Sequence, residues 1–161
     1  MKGLSFFVGG ELYAVDVTLV QKVARMLAIT PVPSAPLETV GIANLKGKVV
    51  TVLSLSKLLD SDKPCDAMHY TNTIIFKHSS SNEDQMGLAV EKPGNLIDID
   101  DSAIRSPPVT VGTEENHCIS GLTEIGDDLY RIIDIEAILR RYIPDAGSEN
   151  LSFGGAKLES I

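Results

Sequence analysis

Two cysteines and three histidines are the side chains of this 161-residue chain best suited to chemistry, since thiolates and imidazoles serve as nucleophiles, bases and metal ligands. Cys65 and His69 enclose three residues, and His117 adjoins Cys118. Together these four could ligate zinc, but adjacent ligands fit a tetrahedral centre poorly and neither pair has Cys-x-x-Cys spacing. We therefore predict no metal and no cofactor, and interpret the four as a buried or half-exposed thiol pair and surface histidines.

Motifs that activate a nucleophile are missing, because the sequence contains neither G-x-S-x-G nor H-E-x-x-H. No glycine-rich loop opens a helix, since Gly9-Gly10 joins two predicted strands. Asp98, Asp100 and Asp101 resemble part of a calcium loop, yet the glycine and the distant glutamate of an EF-hand are absent. We interpret these carboxylates as a solvated strand end. The sequence therefore predicts a binding module and not an enzyme.

Composition narrows the partners of such a module. The net charge is −8 and the pI is near 4.8, which argues against nucleic acid and anionic lipid as main partners. The apolar fraction of 43% is ordinary for a globular protein. No apolar run is long enough to cross a bilayer, and MKGLSFFVGG lacks the features of a signal peptide. We expect a cytoplasmic protein.

Short strands dominate the predicted elements. LSFFVGGELYAVDV reads as a hairpin turning at Gly9-Gly10, and GIANLKGKVVTVLSL as a hairpin turning at Lys46-Gly47. TLVQKVAR, residues 18–25, has apolar residues at helical spacing and predicts a short helix with Thr18 as its N-cap. The prolines of ITPVPSAP predict an extended connector. A helical turn follows at residues 56–59.

The second half repeats this order. NTIIFKH, QMGLAVE and LIDI predict strands, CISGLTEIG and DLYRIIDI predict a hairpin, and IEAILRRY predicts a helix with one apolar stripe. A shift of eighty residues places GIANLKGKVVTVLSLSKLL on GLTEIGDDLYRIIDIEAIL, although chance similarity of two amphipathic hairpins would also explain the match. Residues 60–68, which are polar and contain Pro64, form the best internal boundary.

The predicted fold is mainly β: two small five-stranded barrels packed around a shared core, with short helices and a groove between the barrels. We assign the first barrel to residues 1–66 and the second, with its closing helix, to residues 67–143. Residues 144–161 are Gly/Ser-rich and predict a loose tail.

The run from Leu12 to Leu55 resembles one known family. LYAVDV, VQKV, the A-P of the connector and GIANLKGKVV resemble the motifs Y-G/A-I/V-D-I/V, V-Q-E-I, I-P-x-A-P and G-x-x-N-L-R-G-x-V-V of CheW, the chemotaxis coupling proteins. GLAVEKPGNLIDI and the closing hairpin match more weakly, so the resemblance extends to about Tyr142. It implies two five-stranded barrels around a shared core.

The resemblance also implies partners. It predicts an adaptor that links the cytoplasmic tip of methyl-accepting chemoreceptors to the regulatory domain of a CheA-type histidine kinase, in the cytoplasm at membrane receptor arrays. Lys46 stands where the family has the receptor-contacting arginine of N-L-R-G. We therefore predict receptor contacts by Lys46, Asn44, Gly47 and Val20. An ordinary exposed turn lysine is the alternative for Lys46.

Several residues depart from the family pattern. Lys22 replaces a glutamate after V-Q that lies near the kinase contact, and we predict kinase contacts by Lys22 and Val23. Thr51 replaces a proline, and Ser54 and Glu91 replace aspartates. The apolar skeleton, which we expect to be mostly core, is intact: Val15, Val17, Val20, Val23, Ile42, Leu45, Val50, Val52 and Leu55. Val20 and Val23 could instead form an apolar receptor-binding patch.

Two other functions remain open on these residues. The protein could serve a chemosensory pathway for pili or gene regulation, or compete with a main coupling protein, because the changes at Lys22 and Ser54 leave room for altered partners. The more remote alternative is a small metal-binding protein using Cys65, His69, His117 and Cys118.

Overall fold

The structure, a computed structural model, describes residues 1–59, 72–77, 85–106 and 118–142. Strands in these residues are β1 (Lys2–Val8), β2 (Glu11–Asp16), β3 (Val20–Arg25), β4 (Thr39–Leu45), β5 (Lys48–Ser54), β6 (Asn72–Phe76), β7 (Gln85–Val90), β8 (Lys92–Asp98), β9 (Ile119–Ile125) and β10 (Asp128–Ile133). Helices are α1 (Leu55–Leu59) and α2 (Ile135–Tyr142), with 3-10 turns at Val17–Leu19 and Asp101–Ala103. The predicted boundary at 60–68 and the tail at 144–161 lie outside the described residues.

The predicted hairpins are confirmed. β1 and β2 pair in antiparallel register across Gly9 and Gly10, whose φ angles are 62° and 78°. Such positive angles suit a two-residue turn that matches the twist of its strands, and glycine adopts them without steric cost. β4 pairs with β5 and β9 with β10 in the same way. The predicted helices at 56–59 and 135–142 correspond to α1 and α2.

The predicted helix at residues 18–25 is wrong. Asp16, not Thr18, caps a short 3-10 turn, since its Oδ1 accepts hydrogen bonds from the Thr18 N–H (3.0 Å) and hydroxyl (2.8 Å). The chain then continues as β3, which pairs with β6. A bulge lies between Val20 and Lys22, where β3 has one residue more than β6. The extra residue puts Val20 and Val23 on one face and so imitates the spacing of a helix.

The strands form two five-stranded units, which confirms the predicted mainly β fold, but each unit is an open sheet packed against the other and not a closed barrel. The first sheet has the order β8-β1-β2-β10-β9 and the second has the order β3-β6-β7-β5-β4. Connector residues occupy the outer edges of β4 and β9, where Thr30 bridges to Ile42 and Arg105 bridges to Leu122. These edges are therefore not available for the strand pairing that would close a barrel.

A shared core joins the sheets, as predicted. Phe6 and Val15 of the first sheet lie fully buried in one cluster with Leu53, Phe76 and Leu88 of the second sheet. Each sheet also has a smaller apolar cluster of its own. Burying large aliphatic and aromatic side chains between two sheets is the main stabilising term for such a fold.

Sheet membership does not follow a division at residues 66 and 67. β1 and β2 pair with β8 and β10, whereas β6 and β7 pair with β3 and β5. Each sheet contains one parallel pair, β2 with β10 in the first and β5 with β7 in the second. These pairs allow strands from the two halves of the chain to join the same sheet. The second sheet therefore uses one continuous stretch, residues 20–90, and the first sheet uses segments on both sides of it.

The eighty-residue repeat also holds in the strand register. Gly41 pairs with Val52 as Gly121 pairs with Ile132, and each hairpin has an irregular pair at its open end. Both glycines lie where a connector crosses. A Cβ on Gly41 would lie 2.3 Å from the Thr30 carbonyl oxygen, and one on Gly121 would lie 2.5 Å from Ile104 Cγ2. The shared register makes chance similarity of two hairpins a poor explanation of the repeat.

Candidate functional site

The turn between β4 and β5 presents Lys46 at the tip of a hairpin. Leu45 and Lys48 form the last pair of the ladder, so Lys46 and Gly47 are the two turn residues. Their φ angles are 52° and 84°, as a type I′ turn requires. Glycine meets this requirement freely, whereas lysine occupies a conformation that few non-glycine residues adopt. The cation is thus carried on a backbone with little freedom.

Asn44 fixes this turn from one residue outside it. Its side-chain Oδ1 accepts a hydrogen bond of 2.9 Å from the Gly47 N–H, a donor that does not belong to the strand ladder. Asn44, Lys46 and Gly47 are all exposed. Within the described part of the chain, Lys46 forms no ion pair. An exposed ammonium of this kind can bind a carboxylate or carbonyl oxygen of another molecule.

Two exposed apolar side chains accompany Lys46, and sequence reasoning missed both. Ile42 is 38% exposed and Val49 is 46% exposed. Val49 lies directly opposite Asn44, and Ile42 lies directly opposite Thr51, on the same face of the hairpin. Ile42 was predicted to be core, which is wrong. The signal was available in the sequence, because alternation about the buried Val50 sends Val49 to the other face.

The β3 residues divide between the two faces of their strand. Val20 pairs with Phe76 and Val23 with Ile74, both of which face the shared core, and the two valines pack partly against it. Lys22 pairs with Ile75, faces the other way and is exposed. Val20 and Val23 therefore share a surface that Lys22 does not share.

The bulge that sets this arrangement is held by glutamine side chains. Buried Gln85 donates from Nε2 to Gln21 Oε1 and to the Phe76 carbonyl, the latter at 3.1 Å. The contact ties the start of β7 to the bulged residue of β3.

The predicted receptor residues fall in two parts of one sheet. Asn44, Lys46 and Gly47 are together at the β4–β5 turn, while Val20 is on β3 at the opposite edge. β6 and β7 lie between β3 and β5, so at the usual spacing of about 4.8 Å the two strands are roughly 14 Å apart. A pair of packed helices, whose axes are about 8–10 Å apart, could reach both parts.

Two departures from the family pattern have structural explanations. The Ser54 hydroxyl accepts a 3.3 Å hydrogen bond from the Lys57 N–H at the start of α1. Asp134, eighty residues later, accepts the corresponding bond of 3.0 Å from Ala137 at the start of α2. Serine and aspartate are interchangeable helix caps, so Ser54 gives no reason to expect altered partners. Glu91 holds the β1–β2 turn, since its Oε2 accepts from the Gly9 N–H at 2.8 Å.

Cys118 is the member of the considered metal set that the structure describes, and Cys65, His69 and His117 lie outside the described residues. Cys118 is buried, and burial raises the pKa of its thiol to about 11. Among the residues that the structure describes, no group of three or more His, Cys, Asp and Glu side chains is placed to hold a metal ion.

The carboxylates near the end of β8 are engaged in local contacts. Asp98 pairs with Lys2 at 2.9 Å. Asp100 accepts from the Ser102 N–H at 3.0 Å and from its hydroxyl at 2.7 Å, which makes it the cap of a 3-10 turn. These bonds lower the pKa of both carboxyl groups.

The described helices include none with the length and apolar character needed to span a membrane.

Comparisons with known proteins agree on one family. A family model described as CheW-like domain matches residues 2–142. Chemotaxis protein CheW of Bacillus subtilis is 28% identical over 138 residues, which cover 86% of each chain. Chemotaxis protein CheW of Treponema pallidum is 22% identical over 138 residues, 84% of this chain and 79% of that protein. The crystal structure of the scaffolding protein TtCheW from Thermoanaerobacter tengcongensis matches with a TM-score of 0.71 and 28% identity, covering 83% of this chain and 88% of that one.

Proposed function

Because the chain belongs to the CheW-like domain family, we propose that it is a non-enzymatic adaptor in chemotaxis signal transduction. It joins the cytoplasmic tip of a methyl-accepting chemoreceptor to the regulatory domain of a CheA-type histidine kinase, in the cytoplasm at receptor arrays. The observation that carries this proposal is the match over residues 2–142, together with relatives that are themselves named chemotaxis protein CheW.

The receptor contact is assigned to Lys46, Asn44, Gly47 and Val20. Support comes from the exposure of the Lys46 ammonium on a turn of fixed geometry. The exposed Ile42 and Val49 beside it supply apolar area. A helical hairpin with a carboxylate next to apolar side chains matches this combination of charge and apolar surface.

The kinase contact is assigned to Lys22 and Val23 on β3. Lys22 is exposed and β3 is an outer strand of its sheet, so a partner can reach it. Val23 is partly buried against the shared core and offers only part of its side chain. Since the two face opposite sides of β3, a kinase domain that contacts both must approach along the strand edge.

The adaptor acts through binding alone. If one signalling state of the receptor binds the complex more tightly in one of its arrangements, that state increases the population of kinase in this arrangement. The size of the shift cannot exceed the difference in binding free energy between the two arrangements.

Titration calorimetry with charge-reversal variants tests the assignment. The wild-type protein is titrated with the regulatory domain of the CheA-type kinase of its own genome and with a receptor-tip fragment. Lys46→Glu should weaken only receptor binding, by about tenfold, and Lys22→Glu only kinase binding, since like charges across an interface oppose association.

Lys92→Glu is the matched control, because it makes the same charge change at an exposed position of the other sheet. It should leave both affinities unchanged. A folded wild-type protein that binds neither partner would refute the adaptor function.

A further inference from the structure

We infer that Asn44 acts in the receptor site as a positioning residue for Lys46. The inference rests on the proposed function, in which Lys46 is the contacting cation. It gives Asn44 the role of holding the turn that carries Lys46, and it is argued from the hydrogen bond and the backbone conformation of that turn.

The first ground is the hydrogen bond that Asn44 already makes. Its Oδ1 accepts from the Gly47 N–H at 2.9 Å. The same oxygen is therefore engaged within the turn, and a receptor group that used it would have to displace that bond or share it. This hydrogen bond joins Asn44, which precedes Lys46 in the sequence, to Gly47, which follows it.

The second ground is the backbone conformation of Lys46, which lies between Asn44 and Gly47 in the sequence. Lys46 has φ 52°, in a region where a side chain with a Cβ is normally disfavoured. Lysine prefers the extended or right-handed helical region of φ and ψ. A bond from Asn44 to Gly47 restrains the turn on both sides of Lys46, and so fixes the direction in which the long side chain starts.

The twin hairpin shows that the fold itself does not need this bond. Glu124 occupies the equivalent place of β9, opposite Leu129 as Asn44 is opposite Val49. Its carboxylate pairs instead with Arg105, at 2.9 Å, and the turn there begins with Gly126, φ 64°. In that turn Gly126 has a positive φ and Asp127 does not, so it differs in type from the Lys46-Gly47 turn, whose two residues both have positive φ. Within the described residues, the side-chain acceptor accompanies the turn in which lysine takes the left-handed position.

A double-mutant cycle measures whether Asn44 acts through Lys46. Receptor-tip affinity is determined by calorimetry for wild type, Asn44→Ala, Lys46→Ala and the double variant. Loss of one hydrogen bond predicts that Asn44→Ala weakens binding about fivefold. The double variant should bind no more weakly than Lys46→Ala alone. Glu124→Ala is the matched control and should bind as wild type does.

Amide hydrogen exchange at Gly47 provides a second readout that does not depend on the receptor. Asn44→Ala should speed exchange of the Gly47 amide by roughly tenfold while leaving the amides of β5 unchanged. Asn44→Asp keeps the accepting oxygen, so it should restore slow exchange and recover receptor affinity relative to Asn44→Ala.

The outcomes separate the positioning role from the adaptor function. Additive losses in the double variant would overturn the positioning role, because they mean that Asn44 makes its own contact. Unchanged exchange at Gly47 in Asn44→Ala would also overturn it. Failure of the wild-type protein to bind any receptor fragment would instead remove the proposed function, and the exchange experiment would still report on the turn.

Discussion

Lys46 occupies a backbone conformation that a better-suited residue could adopt at lower cost. Its φ of 52° lies in the left-handed region, where a lysine costs on the order of 1 kcal/mol. The sequence predicted the turn, because Lys46-Gly47 interrupts two apolar runs. It could not predict the bond from Asn44 to Gly47, since an asparagine before such a turn is equally compatible with a solvated side chain.

Replacing Lys46 by asparagine should stabilise the protein and weaken receptor binding. Asparagine followed by glycine is the preferred pair for this turn, so we expect a gain of about 0.5–1 kcal/mol in the free energy of unfolding. Urea unfolding measures the change. Lys48→Asn is the control, because Lys48 lies in the regular ladder of β5 and should gain nothing. A loss of stability in Lys46→Asn would contradict the strain argument.

Cys118 should remain unreactive until the protein unfolds. Burial raises the pKa of its thiol from 9.0 to about 11, so the nucleophilic thiolate is scarce at neutral pH. In a Cys65→Ser background, alkylation of Cys118 should follow the rate of unfolding, and urea should accelerate it. Rapid labelling of the folded protein would show that the thiol is accessible.

The same shift in pKa sets a trend in alkaline stability. Between about pH 9 and pH 11 the folded state retains a proton that the unfolded state has lost. The contribution of this thiol is therefore complete below pH 9 and declines as the pH rises to 11. Cys118→Ala should flatten that part of the stability profile.

At the scale of elements, hairpins were predictable and β3 was not. The turn residues Gly9-Gly10 and Lys46-Gly47, each between two apolar runs, are enough to predict a hairpin. The bulge in β3 is set by its partner β6 and by the contact from Gln85 to Gln21. Such information is distant in the sequence, so local spacing suggested a helix instead.

Gly41 should be the least replaceable residue of the β4–β5 hairpin. A Cβ there would lie 2.3 Å from the Thr30 carbonyl oxygen, so Gly41→Ala should cost about 2–3 kcal/mol as the connector is pushed from its edge. Gly47→Ala separates this clash from backbone strain. Gly47 has φ 84° but open space around it, and its substitution should cost about 1 kcal/mol. Thermal unfolding compares the two, and equal losses would contradict the close-approach argument.

At the scale of the whole molecule, the sequence predicted two units of five strands around one core but not their composition. The repeat located equivalent hairpins, because turn and apolar pattern recur after eighty residues. It could not show that β1 pairs with β8 and β2 with β10, since pairing between strands that are distant in the sequence leaves no local signal. The candidate site was predictable only in part: the motif placed Lys46 on the turn, whereas Ile42 was assigned to the core although alternation along the hairpin sends it to the exposed face.

A substitution in the shared core should destabilise both sheets together. Phe6 is fully buried among side chains of both sheets, so Phe6→Ala should cost about 3–5 kcal/mol. Circular dichroism and fluorescence should report one coincident transition. Leu96→Ala, at a residue that is 60% exposed, should change stability by no more than about 0.5 kcal/mol. Two separate transitions in Phe6→Ala would mean that the sheets unfold independently.

The split composition of the first sheet sets an order of events during synthesis on the ribosome. The second sheet is complete once residue 90 has emerged, whereas β1 and β2 must await β8 and β10. At elongation rates of about 5–20 residues per second, this wait lasts on the order of ten seconds. Until β8 and β10 emerge, the nascent β1–β2 hairpin has unpaired strand edges, and Phe6 and Val15 stay uncovered until the second sheet, which shares their cluster, has formed. Unpaired edges and exposed apolar side chains are the features that make a growing chain a substrate for chaperones.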